Sequence, residues 1–212
     1  GVYVIVTNGN KGTTDININP VELAKRRREE QKAACNILGV NTIEFLDFED
    51  GMLENNLELR RMIVRLIRQH KPSAVITENP TARWVGNYIN RPDHRAVGDA
   101  TMDAVFPSAR DVHMYPDLRL NEGLEPHIVE HLYLGMHGSD ANFFVDISTT
   151  IDIKIRSLKA HESQVKSPNL EFDQFIRNMA VASAGETEHG MAESFRHFYL
   201  GEDVSEGNSV RD

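Results

Sequence analysis

The chain has 212 residues, 40% hydrophobic and 26% charged, with a net charge of -9, a pI near 5.5 and a mean hydropathy of -0.41. That mixture excludes a disordered chain, and the negative charge argues against a nucleic-acid binder, whose affinity rests on a cationic face. No apolar run approaches the roughly 18 residues of a membrane helix, and the apolar start lacks the basic region of a secretory signal.

Cys35 is the only cysteine, so no internal disulfide can form and a reducing, cytoplasmic compartment is expected. The length suits one domain over residues 1–212 that ends in a polar tail over 201–212.

Strand formers begin at once. Val2–Thr7 predicts a strand covered on both faces, as parallel strands are. Neither a cap nor an initiator Met precedes it, so a lead-in segment before Gly1 is expected. The loop Asn8–Asn19 is rich in Gly, Asn and Thr. Its glycines Gly9 and Gly12 follow a strand as in a phosphate cradle, but match neither GxGxxG nor GxxxxGK[ST]. A helix opens with Asn19 as N-cap, Pro20 at the first position and Glu22 closing a capping box; it stops at Gly39. Thr42–Leu46 predicts a strand with the acidic exit loop Asp47–Asn56. Leu59, Met62, Ile63, Leu66 and Ile67 mark one face of a helix that ends near His70. Ala74–Thr77 predicts a third strand, Glu78–Pro92 its exit loop, and about Asp93 to Val105 a helix. Phe106–Pro126 has several prolines and little periodicity and is expected as surface loop. His131–Leu134 and Phe143–Ile147 predict strands, Ile151–His161 and Leu170–Ala184 helices. The alternation predicts an α/β fold with a mostly parallel sheet and helices on both faces. Ligands bind such sheets at the carboxyl ends of the strands, where the exit loops 8–19, 47–56 and 78–93 are expected to meet.

The densest cluster of reactive side chains is INRPDHRAVGDA, Ile89–Ala100. Pro92 drives Arg91 extended, Asp93 is expected to cap the helix, and His94 follows in the first turn. A helix N-terminus disfavours imidazolium and keeps such a ring free to coordinate a metal. The alternative is an ordinary capping Asp beside an exposed His. One His makes no metal site, since a catalytic zinc needs three protein ligands. The remaining histidines show no ligand spacing; the HxxxH of His127 and His131 lies at the entrance to a strand, and His137 is isolated. Lys25–Arg28 fits a solvated face, unless Arg27 turns inward to clamp a polar ligand. Cys35 fits a packed thiol, and Ser163 lacks a nucleophile elbow.

Six segments together resemble the LmbE-like or PIG-L-type zinc-dependent N-deacetylases. They are VTNGNKGTTD, RRREEQKAACNILGV, FLDFEDGML, RPDHRAVGDA, FVDIS with KIRSLKAHESQ, and GMAESFR, in the family's order. The resemblance implies a Rossmann-like α/β domain that hydrolyses the N-acetyl amide of a GlcNAc-type sugar or conjugate. It implies Zn²⁺ or another divalent metal that polarises the carbonyl and activates water. His94 matches the family's metal-ligating His, Asp93 the neighbour that tunes an adjacent acid, and Arg27 a substrate-contacting Arg. Asn10 and Gly12 of the first exit loop are expected beside Arg27 at the substrate. Two departures stand out. The HPDD segment that supplies the other metal ligands and the general base is not in this chain, so the first βα unit, about thirty residues, is expected upstream of Gly1. And Arg91 replaces a family His; it cannot donate a proton near neutrality, but it can hold an oxyanion. A non-catalytic sugar- or nucleotide-binding relative that has lost the metal is the alternative. The expected partners are a small N-acylated amino sugar and, as in many relatives, further copies of the chain; neither nucleic acid nor membrane is expected.

Overall fold

The computed structural model describes residues 1–135, 140–165 and 168–201. His137 and all of the expected tail except Gly201 lie outside the described residues. The backbone groups into two compact units, the first of residues 1–53 and 144–194 and the second of residues 54–143 and 195 onward.

In the first unit, β1 (Val2–Thr7) and β2 (Thr42–Phe48) pair in parallel, Val2 opposite Thr42 and Ile5 opposite Phe45. Among the described residues they form a two-stranded sheet. β1 is therefore not covered on both faces as its composition predicts: Val2, Tyr3 and Val4 are each more than a third exposed. A paired strand with one neighbour keeps one edge and part of its side chains open. Between the strands runs α1 (Pro20–Ile37), where the Asn19 side chain accepts from the Val21 N–H. Glu22 pairs with Lys25 rather than closing a box. The chain leaves α1 through Gly39 at φ +73°. α5 (Ile151–Lys159) packs on α1 and α6 (Leu170–Ala184) on α5. Their apolar faces bury Ile147, Ile151, Ile155 and Ala180, and Ser157 Oγ donates to the Ala34 carbonyl at 3.3 Å.

In the second unit, α2 (Leu57–His70) is capped by Asn56, whose side chain accepts from Leu59 N–H. β3 (Ala74–Glu78) pairs in parallel with β6 (His131–Gly135), which pairs antiparallel with β8 (Ala192–Tyr199). The unit boundary falls within β8 and within β7 (Phe143–Asp146). The α/β class holds, with two parallel strand pairs, but β8 has no counterpart in the sequence expectations. Arg196 and His197 interrupt its apolar alternation, so no strand period stands out. The Glu78–Pro92 loop holds a short hairpin, β4 (Trp84–Val85) with β5 (Tyr88–Ile89). α3 (Pro92–Asp103) runs on into Ala104–Ser108, where Phe106 breaks the helix in an extended conformation (φ -139°, ψ 122°), and α4 (Pro116–Glu122) follows. Phe106–Pro126 is thus not simply a surface loop. Its order comes from Arg68 of α2, which is fully buried and donates to the carbonyls of Ser108, Ala109, Asp111, Met114 and Tyr115. Such partners are invisible to local pattern.

Candidate active site

Within the first unit, the exit loops of β1 and β2 are tied together. Asn8 N–H donates to Phe48 O at 2.8 Å, Asp50 N–H to Asn10 Oδ1 at 3.3 Å, and Lys11 pairs with Glu49 at 3.1 Å. Arg27, two turns into α1, does turn inward. Its Nη2 donates to Gly12 O at 3.2 Å, and its Nη1 lies 3.8 Å from the Asp50 carboxylate. The side chain is only 12% exposed, and Nε is buried with no hydrogen-bond partner among the described residues. The loop wraps the guanidinium closely: Gly9 has φ +66°, and a Cβ there would sit 2.7 Å from Arg27 Cδ. That close approach, rather than a phosphate, explains a glycine at position 9.

One turn further along α1, the buried Glu30 accepts from Ser163 N–H at 2.8 Å and from Ser163 Oγ at 2.6 Å, as well as from Arg26 Nε. His161, two residues before Ser163, is held below the usual imidazole range by burial; Arg27 adds to the effect and Glu30 opposes it. Glu30, Asp50 and His161 were not among the expected site residues. Glu30 and Ser163 stand 133 positions apart in the chain, and only the family-like AHESQ segment signalled that this stretch matters.

The second unit carries the RPDH segment. The β3 ladder runs one residue past its end, Asn79 N–H donating to Gly135 O at 2.9 Å. The buried Asn79 Oδ1 then accepts from Thr81 N–H and Oγ1 at 2.9 and 2.8 Å. The β4–β5 hairpin returns the chain so that Asn90 N–H donates to Arg83 O at 2.9 Å. Asn90 is 1% exposed; its Nδ2 donates to Ala82 O at 2.8 Å, and its Oδ1 lies 3.1 Å from His94 Nδ1. Arg95 donates to the Asn90 carbonyl.

Pro92 takes the first helical position and holds Arg91 extended at φ -63°, ψ 146°. Arg91, not Asp93, is therefore the N-cap, and it makes no side-chain capping bond. Asp93 falls inside the first turn, 8% exposed. The reason is that proline at the first position sets where the helix begins. The Arg91 side chain is exposed.

Gly98 sits four residues after His94, on the same helix face. A Cβ at Gly98 would lie 2.4 Å from Glu78 O, so α3 presses against the carboxyl end of β3 and carries His94 there. Glu78 Oε2 is buried with no hydrogen-bond partner among the described residues.

The other histidines do not assemble with His94. His127 Nε2 lies 2.8 Å from Pro72 O, and His131 Nδ1 meets His197 Nε2 at 3.0 Å. Among the described residues, no group of three or more His, Cys, Asp or Glu is placed to hold a metal ion. No helix among the described residues is long and apolar enough to cross a membrane.

Residues 2–105 match the family described as PIG-L, GlcNAc-PI de-N-acetylase. The chain is 35% identical over 196 residues to the diacetylchitobiose deacetylase of Thermococcus kodakarensis, spanning 92% of this chain and 71% of the relative. It is 25% identical over 155 residues to a probable N-acetyl-alpha-D-glucosaminyl L-malate deacetylase 2 of Bacillus subtilis, spanning 72% and 63% of the two. The solved N,N'-diacetylchitobiose deacetylase from Pyrococcus horikoshii superposes with a TM-score of 0.83 at 28% identity, over 93% of this chain and 72% of that one.

Proposed function

Because the chain belongs to the PIG-L family of GlcNAc-PI de-N-acetylases, we propose that it hydrolyses the N-acetyl amide of a GlcNAc-type sugar or sugar conjugate. Water adds to the amide carbonyl, the C–N bond breaks, and acetate and the free amine leave. The observation that carries this reading is the 35% identity to a diacetylchitobiose deacetylase over 92% of the chain. A divalent metal, when bound, supplies a Lewis acid for the carbonyl and an activated water.

His94 has the chemistry of one ligand to that metal, a partly buried imidazole whose Nδ1 is already taken by Asn90. Arg91, exposed at the N-cap beside it, supplies a positive charge for the oxyanion that develops as the carbonyl carbon becomes tetrahedral. Asp93, one residue before His94, is the buried carboxylate of this turn and helps to set its charge balance. Arg27, with the Asn10 and Gly12 loop around it, binds the polar face of the sugar, and its Nε, buried with no hydrogen-bond partner among the described residues, supports that role. The single, fully buried thiol of Cys35 suits a cytoplasmic protein.

Incubating the full natural chain with zinc and diacetylchitobiose or N-acetylglucosamine should release equal amounts of acetate and primary amine. His94→Ala should abolish that release. A full chain that binds these sugars and releases neither product supports the non-catalytic alternative.

A further inference from the structure

Three buried contacts of Asn90 determine which nitrogen of His94 is free, and this follows from donor and acceptor chemistry alone. The carbonyl of Ala82 can only accept, and it lies 2.8 Å from the Asn90 side-chain nitrogen. The amide is therefore oriented with its NH₂ on Ala82, and its Oδ1, which can only accept, faces His94 Nδ1 at 3.1 Å. The ring must then donate from Nδ1. The Asn90 backbone is pinned as well, its N–H on Arg83 O at 2.9 Å, and turning the buried amide over would set Oδ1 against the Ala82 carbonyl oxygen, acceptor against acceptor. Gly98 holds the helix that carries the ring against Glu78 O. The result is a preset imidazole with its hydrogen on Nδ1 and its lone pair on Nε2.

We infer that Asn90 is a positioning residue that locks His94 in the Nδ1–H tautomer and so presents Nε2 as a ready donor to a divalent metal. The inference rests on the ligand role proposed for His94 and deepens it. Neutral imidazole free in water mixes both tautomers, and in the Nε2–H form the ring must give up or move that proton before Nε2 can bind a metal. Outer partners that fix the tautomer and orientation of a ligating His raise affinity in metal sites generally. Here the partner is a neutral amide, itself oriented by a main-chain carbonyl.

The test is long-range ¹H–¹⁵N correlation on the full natural chain labelled at histidine, metal-free at pH 8, with His94→Gln to assign the resonance. The expected result is a His94 ring protonated at Nδ1 alone. Asn90→Leu, with the same branching and number of side-chain heavy atoms and unable to accept, should return the ring to a mixture of tautomers. It should also weaken zinc binding about 10- to 100-fold, measured by competition with a chelator. A His94 ring protonated at Nε2 in the parent protein overturns the inference, and that measurement stands even where Asn90→Leu fails to fold. An unchanged tautomer in folded Asn90→Leu overturns it too. So does unaltered zinc affinity in Asn90→Leu when His94→Gln has lost affinity. Zinc affinity unaltered in His94→Gln itself overturns the ligand role instead, a different result from a wrong tautomer.

Discussion

Arg91 and Gly98 show how much one side chain, or the lack of one, decides on α3. Arg91 is exposed, extended and free of capping duty, so its removal tests chemistry with little effect on the helix. Arg91→Ala should lower kcat/KM for the acetylated sugar by on the order of a hundredfold, the usual cost of one oxyanion contact. Arg91→His should keep activity and bring a bell-shaped pH profile as an ionisable acid returns. Unchanged kinetics in Arg91→Ala would remove the residue from the mechanism. Gly98 makes the opposite case, because its worth is purely steric. A methyl group there meets the Glu78 carbonyl at 2.4 Å, and a backbone atom cannot swing aside. Gly98→Ala should cost about 3 kcal/mol, the upper range for overpacking, read from urea unfolding. Both residues lie in a segment whose family-like pattern is legible. The steric limit at Gly98 is not, since its partner is the main chain of a strand twenty residues earlier.

At the level of elements, the segment after α3 depends on a cation from α2. Arg68 is buried completely, and its donors satisfy carbonyls of the turn and loop over 108–115. Burial lowers its pKa, while Glu125, Asp111 and Asp117 act in the other direction. Replacing it with methionine keeps most of the volume but removes the donor these carbonyls share, leaving Ala109 O, Asp111 O and Tyr115 O only their backbone donors His127, Met114 and Leu118. Arg68→Met should therefore destabilise the protein by about 3 kcal/mol or more. Amide hydrogen exchange should rise first in residues 108–118. Equal exchange in both proteins would show that prolines and packing hold the segment without the arginine. The α2 pattern correctly predicts an amphipathic helix, yet it treats Arg68 as one more polar position. Its carbonyl partners lie about forty residues on, which no helical period records.

At the scale of the whole chain, acid should weaken both units. Burial holds His161 in the first unit and His197 in the second below the usual imidazole range; Arg27 and His131 respectively add to the effect. The unfolded chain takes up protons at these residues near pH 6.5, whereas the folded chain resists them. Stability is therefore complete above that value and falls as the pH drops below it. Asp117, held down by its hydrogen bond to Arg61, and Asp146, held down by Ser148, extend the same loss into the carboxylate range. The urea midpoint should fall between pH 7 and pH 5, and His161→Gln with His197→Gln should flatten that slope. A midpoint that holds constant to pH 5 would rule out both groups. The sequence by itself determined the α/β class, the ends of β1 and α6, the Asn19 cap and the family-like segments around Arg27 and His94. Those are written in local periodicity, proline position and short motifs, each confined to a few neighbouring residues. Only the tertiary structure decided that Glu30 meets Ser163, that Arg68 organises a loop, and that Asn90 faces His94 Nδ1. These depend on which donor finds which acceptor once distant segments pack, and local patterning carries no record of that choice.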